Sequence, residues 1–166
     1  MDALQLSATA VLVGVLATAV MDVGSVLLKQ LVGVPMPNYV MVGRWVGHMP
    51  AGRFRHRAIA AAAPVRGERW IGWAVHYTTG VVFAALLLLI WGDAWIANPT
   101  FAPALIVGLG SVAAPFLLMQ PAMGAGIAAR KTPDPVTARR RSLINHSLFG
   151  LGLYVSGWAV HLLYAA

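Results

Sequence analysis

The chain has 166 residues, of which 59% are hydrophobic and 10% are charged, and its formal net charge is +7. Soluble domains carry roughly 25% charged residues, so this composition excludes an ordinary water-soluble domain and indicates a protein of the lipid bilayer. The absence of cysteine excludes disulfides, thiolate metal sites and cysteine nucleophiles.

Four apolar stretches are long enough to cross the roughly 30 Å hydrocarbon core of a bilayer as helices. The second stretch carries Trp70, Trp73 and Trp91 near its ends, as helices do at membrane interfaces. Prolines subdivide the long uncharged region that contains the third stretch, so that span is predicted to end at about Pro121. The predicted spans cover about residues 4–28, 70–92, 101–121 and 142–165.

All 12 Lys and Arg residues fall in the connection between the first two predicted spans or in the one between the last two. The positive-inside rule therefore predicts that both basic connections are cytoplasmic and that the N and C termini and the short middle connection are outside. The prediction is a single transmembrane domain over residues 1–166, an all-α four-helix bundle. Because the charge is explained in this way, no nucleic-acid partner is expected.

The first cytoplasmic connection, residues 29–69, mixes aromatic, Met and basic side chains around Asn38–Pro50. Such a mixture is typical of a segment that lies on the membrane surface. The basic side chains of both connections are expected to attract anionic lipid or to bind an anionic group of a small-molecule ligand. The candidates for binding an anionic group are Arg44, Arg69, Arg130 and Arg141.

Polar side chains inside the spans indicate a functional site. An ionisable group in an apolar helix is costly unless it faces protein or water, so Asp22 is the first candidate. Asp22 lies seven residues before Lys29, and His76 lies seven residues after Arg69. Each is thus about 10 Å inside its last cytoplasmic charge. The predicted ligand-binding or proton-relay residues are Asp22, His76, Gln120, Asn145 and His146.

Several kinds of chemistry fit these residues. Asp22, His76 and His146 could hold a divalent metal ion, or a carboxylate and imidazoles could relay protons in a transporter. The same groups could simply join the helices by hydrogen bonds, and the small-residue stripes in the spans also predict a homodimer. The leading prediction is binding or handling of a small ligand or metal ion. A membrane-embedded enzyme acting on a lipid or quinone, a proton-coupled transporter and a structural accessory subunit stay open.

Six segments of the chain have a distinctive sequence: M-D at 21–22, G-R-W-V-G-H-M-P-A-G-R-F at 43–54, A-P-V-R-G-E-R at 63–69, H-Y-T-T-G at 76–80, P-F-L-L-M-Q-P-A-M-G-A-G-I-A-A-R-K-T-P at 115–133 and R-S-L-I-N-H-S-L-F-G-L-G-L-Y at 141–154. Together they resemble a family of small bacterial inner-membrane proteins known only as a domain of unknown function. The resemblance implies a four-span protein of the bacterial inner membrane, and it assigns no activity. It adds Arg44, His48, Glu68 and the Gln120–Pro121 pair to the candidate residues.

Overall fold

A computed structural model describes residues 2–165, and within these residues the chain forms helices and turns without any β-strand. A π-helical turn, Ala114–Met119, follows the helix Phe101–Gly110. Short 3-10 turns lie at Met49–Ala51, Ile59–Ala61 and Ile127–Ala129. The α-helices are α1 (Ala3–Val32), α2 (Tyr39–His48), α3 (Glu68–Ala97), α4 (Phe101–Gly110), α5 (Gln120–Ala122) and α6 (Pro135–Ala165).

Four helical stretches are long and apolar enough to cross a membrane: α1, α3, α6 and the stretch Phe101–Ala122, which combines α4, the π-helical turn and α5. Large apolar side chains such as Val82, Leu89 and Leu118 are exposed along these stretches. A helix satisfies its own backbone hydrogen bonds, so such surfaces suit lipid contact. The predicted all-α class and the four membrane-compatible helices are confirmed, and the chain has the features of a multi-pass membrane protein.

The first helix has well-defined ends. The Asp2 carboxylate accepts a hydrogen bond from the Gln5 backbone N–H at 2.8 Å, and the Gln5 side chain accepts one from the Asp2 N–H at 3.0 Å. This reciprocal capping box satisfies two helix N–H groups. At the other end Gly33 takes a left-handed conformation with φ 71° and closes the helix. Both boundaries of α1 are therefore fixed by local chemistry.

The described residues divide into two compact units. The first unit contains residues 2–35, 77–111 and 144–165, and the second contains residues 36–76 and 112–143. Helices α3 and α6 contribute residues to both units.

Helices in the first unit approach each other closely at glycines. At Gly14 of α1, a methyl group would stand 2.5 Å from the Cα atom of Val81 in α3. At Gly108 of α4, it would stand 2.6 Å from the backbone nitrogen of Gly150 in α6. Small residues allow membrane helices to pack with backbones in contact, where van der Waals and polar contacts replace the hydrophobic effect. The first unit is held together in this way around a core that includes fully buried Leu153.

In the second unit, α2 packs directly against the first turns of α3. A methyl group at Gly43 of α2 would overlap the carbonyl oxygen of Glu68 and stand 2.6 Å from the backbone nitrogen of Gly72. A methyl group at Gly72 would in turn overlap the carbonyl oxygen of Tyr39. Two facing glycines thus let the two helix backbones touch, and α2 is fixed on α3.

The remainder of the long connection is ordered around the helix end at Gln120–Ala122. The backbone N–H of His56 donates to the Ala122 carbonyl at 2.8 Å, and that of Ile59 donates to the Met123 carbonyl at 3.0 Å. Buried Trp45, Ile59 and Ala122 form a small core over these bonds. The connection is therefore an organised part of the second unit.

Charge is distributed unequally between the units. The second unit contains eleven of the twelve Lys and Arg residues and two of the five Asp and Glu residues, which gives it a formal charge of +9. Most of these basic side chains are exposed. The first unit contains one basic and three acidic residues, Lys29, Asp2, Asp22 and Asp93.

Candidate functional site

Asp22 forms a hydrogen bond inside the first unit. The Tyr77 hydroxyl of α3 donates to the Asp22 carboxylate of α1 at 3.1 Å, and both side chains are half-buried. Asp22 is on the same side of α1 as Thr18 and Ser25, which are buried. A tyrosine hydroxyl can stabilise a carboxylate by donating to it, or can accept a hydrogen bond once the carboxyl group is protonated. The pair can therefore accommodate Asp22 in either protonation state.

His146 of α6 is oriented by Ser111 at the end of α4. The Ser111 hydroxyl lies 2.6 Å from the Gly108 carbonyl and 2.6 Å from His146 Nδ1. A hydroxyl has one hydrogen, which Ser111 donates to the carbonyl because a carbonyl oxygen can only accept. His146 Nδ1 therefore carries its own hydrogen and donates to Ser111. In the neutral ring this leaves the lone pair on Nε2, the atom that can take up a proton.

Asn145, the neighbour of His146, links α6 to α1. The Ser25 hydroxyl lies 3.2 Å from Asn145 Oδ1 and 2.9 Å from the Met21 carbonyl. Polar contacts of this kind hold membrane helices in register. Asn145 is thereby fixed one helical turn from Asp22, because Ser25 follows Asp22 by three residues on α1.

These contacts form a group of polar side chains that we call the polar band. All of its members belong to the first unit. Helices α1, α3 and α6 supply five of them, and the sixth, Ser111, directly follows α4. The band contains one carboxylate, one imidazole, one amide and three hydroxyls, so it can donate, accept and exchange protons. Its members are Asp22, Ser25, Tyr77, Ser111, Asn145 and His146.

The two other sequence-predicted site residues belong to the second unit. The His76 ring stacks on Tyr39 with 4.1 Å between ring centroids and an interplanar angle of 21°. It also contacts Trp73 edge-on at 5.8 Å. Gln120 stands at the start of α5, and its Oε1 atom is buried without a hydrogen-bond partner. His76 is thus part of an aromatic cluster, and Gln120 has an unsatisfied acceptor.

The divalent-metal prediction finds no support in the structure. Among residues 2–165, no group of three or more His, Asp or Glu side chains is arranged to hold a metal ion. Asp22 and His146 have the hydrogen-bond partners Tyr77 and Ser111, and His76 stacks on Tyr39. A similar predicted depth in the membrane is therefore not sufficient to bring three side chains together as metal ligands.

Arg44 is part of an internal ion pair. Its guanidinium donates from Nε and Nη2 to both carboxylate oxygens of Glu68, at 2.9 and 2.8 Å, and the two side chains are 11% and 16% exposed. The Glu68 carboxylate also accepts from the Val65 N–H at 2.9 Å. Because Glu68 accepts these bonds, the pKa of Arg44 is raised above its ordinary value. Nη1 reaches the carbonyl oxygens of Ala60 and Ala62, so Arg44 holds the connection against α3.

The other basic candidates have a different environment. Arg69, Arg130 and Arg141 are all exposed on the second unit. They are accessible to anionic groups, whereas the Arg44 guanidinium is already neutralised by Glu68.

Replacing Glu68 with glutamine should lower the thermal unfolding temperature by leaving the Arg44 guanidinium without its counter-charge in a mostly buried position. The double variant Arg44→Met/Glu68→Gln should recover part of that loss, because it removes the unpaired charge as well. Thermal unfolding of the detergent-purified variants by circular dichroism measures both effects. The exposed Arg66→Met variant is the control and should unfold like the wild type. Additive losses in the double variant would contradict the pairing.

Three members of the polar band, Ser25, Tyr77 and Ser111, were not among the site residues predicted from the sequence. All three carry neutral hydroxyls, which occur widely in membrane helices and do not mark a site by themselves. Tyr77 does lie in the H-Y-T-T-G segment, directly after His76. A search for hydroxyl residues near each intramembrane ionisable group would have added it.

The comparisons with known proteins identify a family but no activity. No curated protein sequence and no solved structure matches the chain significantly. A family model described as "Protein of unknown function (DUF2938)" matches residues 11–160. Since that match covers most of the 166 residues and reaches into all four membrane-compatible helices, the chain belongs to the DUF2938 family.

Proposed function

We propose that this chain is a multi-pass protein of the bacterial inner membrane that binds a small cationic ligand in exchange for a proton at the polar band. The observation that supports this function best is the hydrogen bond between the Tyr77 hydroxyl and the Asp22 carboxylate at 3.1 Å. An ionisable residue inside a membrane-spanning segment is expensive, and such residues commonly belong to ligand pathways or proton relays.

The chemistry of the polar band fits this role. Asp22 can release a proton when a cationic ligand arrives, or take one up when the ligand leaves. Tyr77 then acts as a positioning residue that donates to the charged form and accepts from the neutral one. His146, held by Ser111 through Nδ1, offers a second protonatable atom at Nε2. Two titratable groups in one unit allow a proton and a ligand to exchange at the same place.

The charge of the second unit supports the proposed orientation and membrane. Its exposed arginines and lysine would remain on the cytoplasmic side, where anionic lipid headgroups are available. With both basic connections there, the two termini and the connection between α3 and α4 would be outside. The same exposed cations would draw anionic groups toward this side of the protein.

Infrared difference spectroscopy of the protein reconstituted in liposomes can test the site. Lowering the pH should produce the carbonyl band of protonated carboxylic acids. The part of this band that arises from Asp22 should be absent in Asp22→Asn. Tyr77→Phe should displace the band, because the hydroxyl that forms a hydrogen bond with the Asp22 carboxyl group is lost. Ammonium and methylammonium, used as cationic probes, should reduce the band at constant pH in the wild type only.

The matched control is Asp93→Asn, which removes an exposed carboxylate near the end of α3. This variant should keep the Asp22 component of the spectrum. A spectrum that is the same in wild type and Asp22→Asn at every pH would overturn the proposed function, as would probe effects that survive in Asp22→Asn.

A further inference from the structure

His48 and His56 lie side by side in the second unit, outside the polar band. Their ring centroids are 5.1 Å apart with an interplanar angle of 72°. His48 is the last residue of α2, while His56 is held through its backbone by the Ala122 carbonyl. The two imidazoles are therefore brought together by different elements of the fold.

The nitrogen atoms of the two rings are unequally satisfied. His48 Nε2 lies 2.9 Å from the Ala63 carbonyl, which can only accept, so Nε2 carries the hydrogen and Nδ1 of the neutral ring keeps the lone pair. Metal-binding histidines typically donate their other ring N–H to a backbone carbonyl in this way. His56 Nε2 is buried without a hydrogen-bond partner. Because buried polar atoms almost always have partners, this nitrogen indicates a missing ligand.

The second unit, which holds the two rings, also has four methionines on its small core, and their sulfur atoms are soft metal ligands. Met49 directly follows His48, and Met119 and Met123 stand one helical turn apart on either side of Gln120. Together with Met41, these three methionines pack on the small core of the second unit. The buried Oε1 atom of Gln120 also lacks a hydrogen-bond partner. We call His48, His56 and these four methionines the His–Met cluster.

We infer that the His–Met cluster binds one copper(I) ion through His48 Nδ1, His56 Nε2 and at least one methionine sulfur. Thioether ligands select copper(I), and imidazole is also a copper ligand. Two imidazoles bound to one ion through bonds of about 2 Å at a tetrahedral angle place their centroids about 5 Å apart. The observed separation of 5.1 Å matches that requirement.

The charge of the surroundings favours the same ion. All proposed ligands are neutral, and the second unit carries a formal charge of +9. Coulomb repulsion doubles for a divalent ion at the same place, so a monovalent ion is less disfavoured. Only two histidines contribute, which agrees with the absence of any three-residue His, Asp or Glu group among residues 2–165.

Anaerobic titration of the full-length protein with copper(I), in competition with a chromophoric copper(I) chelator, tests the site. The wild type should bind one equivalent, and His56→Ala should bind at least about 100-fold more weakly. Each methionine of the cluster is replaced singly by leucine, which preserves size and apolar character, and at least one of these four variants should weaken binding about tenfold. X-ray absorption of the loaded protein should show both nitrogen and sulfur neighbours.

The control is His161→Ala, whose ring lies 3.1 Å from the Ile96 carbonyl in the first unit, and it should bind copper(I) like the wild type. Zinc, tested alone, should not bind stoichiometrically. Absence of a stoichiometric copper(I) complex would overturn the inference. Wild-type affinity in His56→Ala, full affinity in all four methionine variants, or tighter binding of zinc would do so as well.

Discussion

Replacing Gly43 with alanine should destabilise the folded protein by about 3 kcal/mol or more. The added methyl group would overlap the Glu68 carbonyl oxygen. It would also stand only 2.6 Å from the Gly72 backbone nitrogen. Both neighbours are backbone atoms of α3, so no side-chain rotation can relieve the overlap. The helices must separate, and the Arg44–Glu68 ion pair between them must lengthen. Reversible unfolding in mixed detergent micelles measures the loss.

The matched control for this substitution is Gly110→Ala. Gly110 ends α4, and an added methyl group there would meet no atom within 4 Å. Its φ is not in the left-handed region, so alanine fits the helix and should change stability by less than about 1 kcal/mol, in the stabilising direction. Equal losses in the two variants would show that the α2–α3 contact is not close in the folded protein.

Truncation of Leu153 to alanine should produce the second large loss, about 2–4 kcal/mol. Leu153 is 0% exposed in the core of the first unit, next to helices that are already in contact at glycines. Because the helix backbones touch, the neighbours cannot move inward to fill the space. Within a bilayer the transfer of methylene groups adds little, so this cost comes mainly from the cavity and the lost van der Waals contacts.

Leu151→Ala, two residues earlier on α6, is the control for the core truncation. Leu151 is 42% exposed on a membrane-compatible helix, so lipid or detergent can occupy the space that its side chain leaves. Its loss of stability should stay below about 1 kcal/mol. The same unfolding measurement compares the two variants, and a Leu151→Ala loss as large as that of Leu153→Ala would contradict the observed burial.

Hydropathy alone was sufficient to predict the all-α class and the four membrane-compatible helices, because each helix carries its own apolar run. Position within those runs also marked Asp22, Asn145 and His146 as exceptional. All three form specific hydrogen bonds in the first unit. The extent of each helix and the polar residues within it could therefore be predicted from the sequence.

Partners on other helices could not be predicted in the same way. Helical spacing gives the depth and face of a residue, but it does not say which helix lies opposite. Tyr77 was therefore missed as the donor to Asp22, and the 24-residue separation of Arg44 and Glu68 concealed their ion pair. The aromatic stacking of His76 on Tyr39 likewise depends on the contact between α2 and α3 at two glycines. Glycine is frequent in this chain, with 17 residues, so these two positions do not stand out.

The π-helical turn Ala114–Met119 sets the rotational phase of the segment that follows it. An α-helix advances by about 100° per residue, so a turn that contains one extra residue rotates everything behind it by about that angle. This offset sets the direction of Gln120 and Ala122 around the helix axis. The Ala122 carbonyl oxygen is thereby placed to accept the hydrogen bond from the His56 backbone N–H. Chain length between Pro115 and Gln120 is therefore as specific as side-chain identity: a one-residue insertion or deletion there would redirect this surface even if every original side chain were kept.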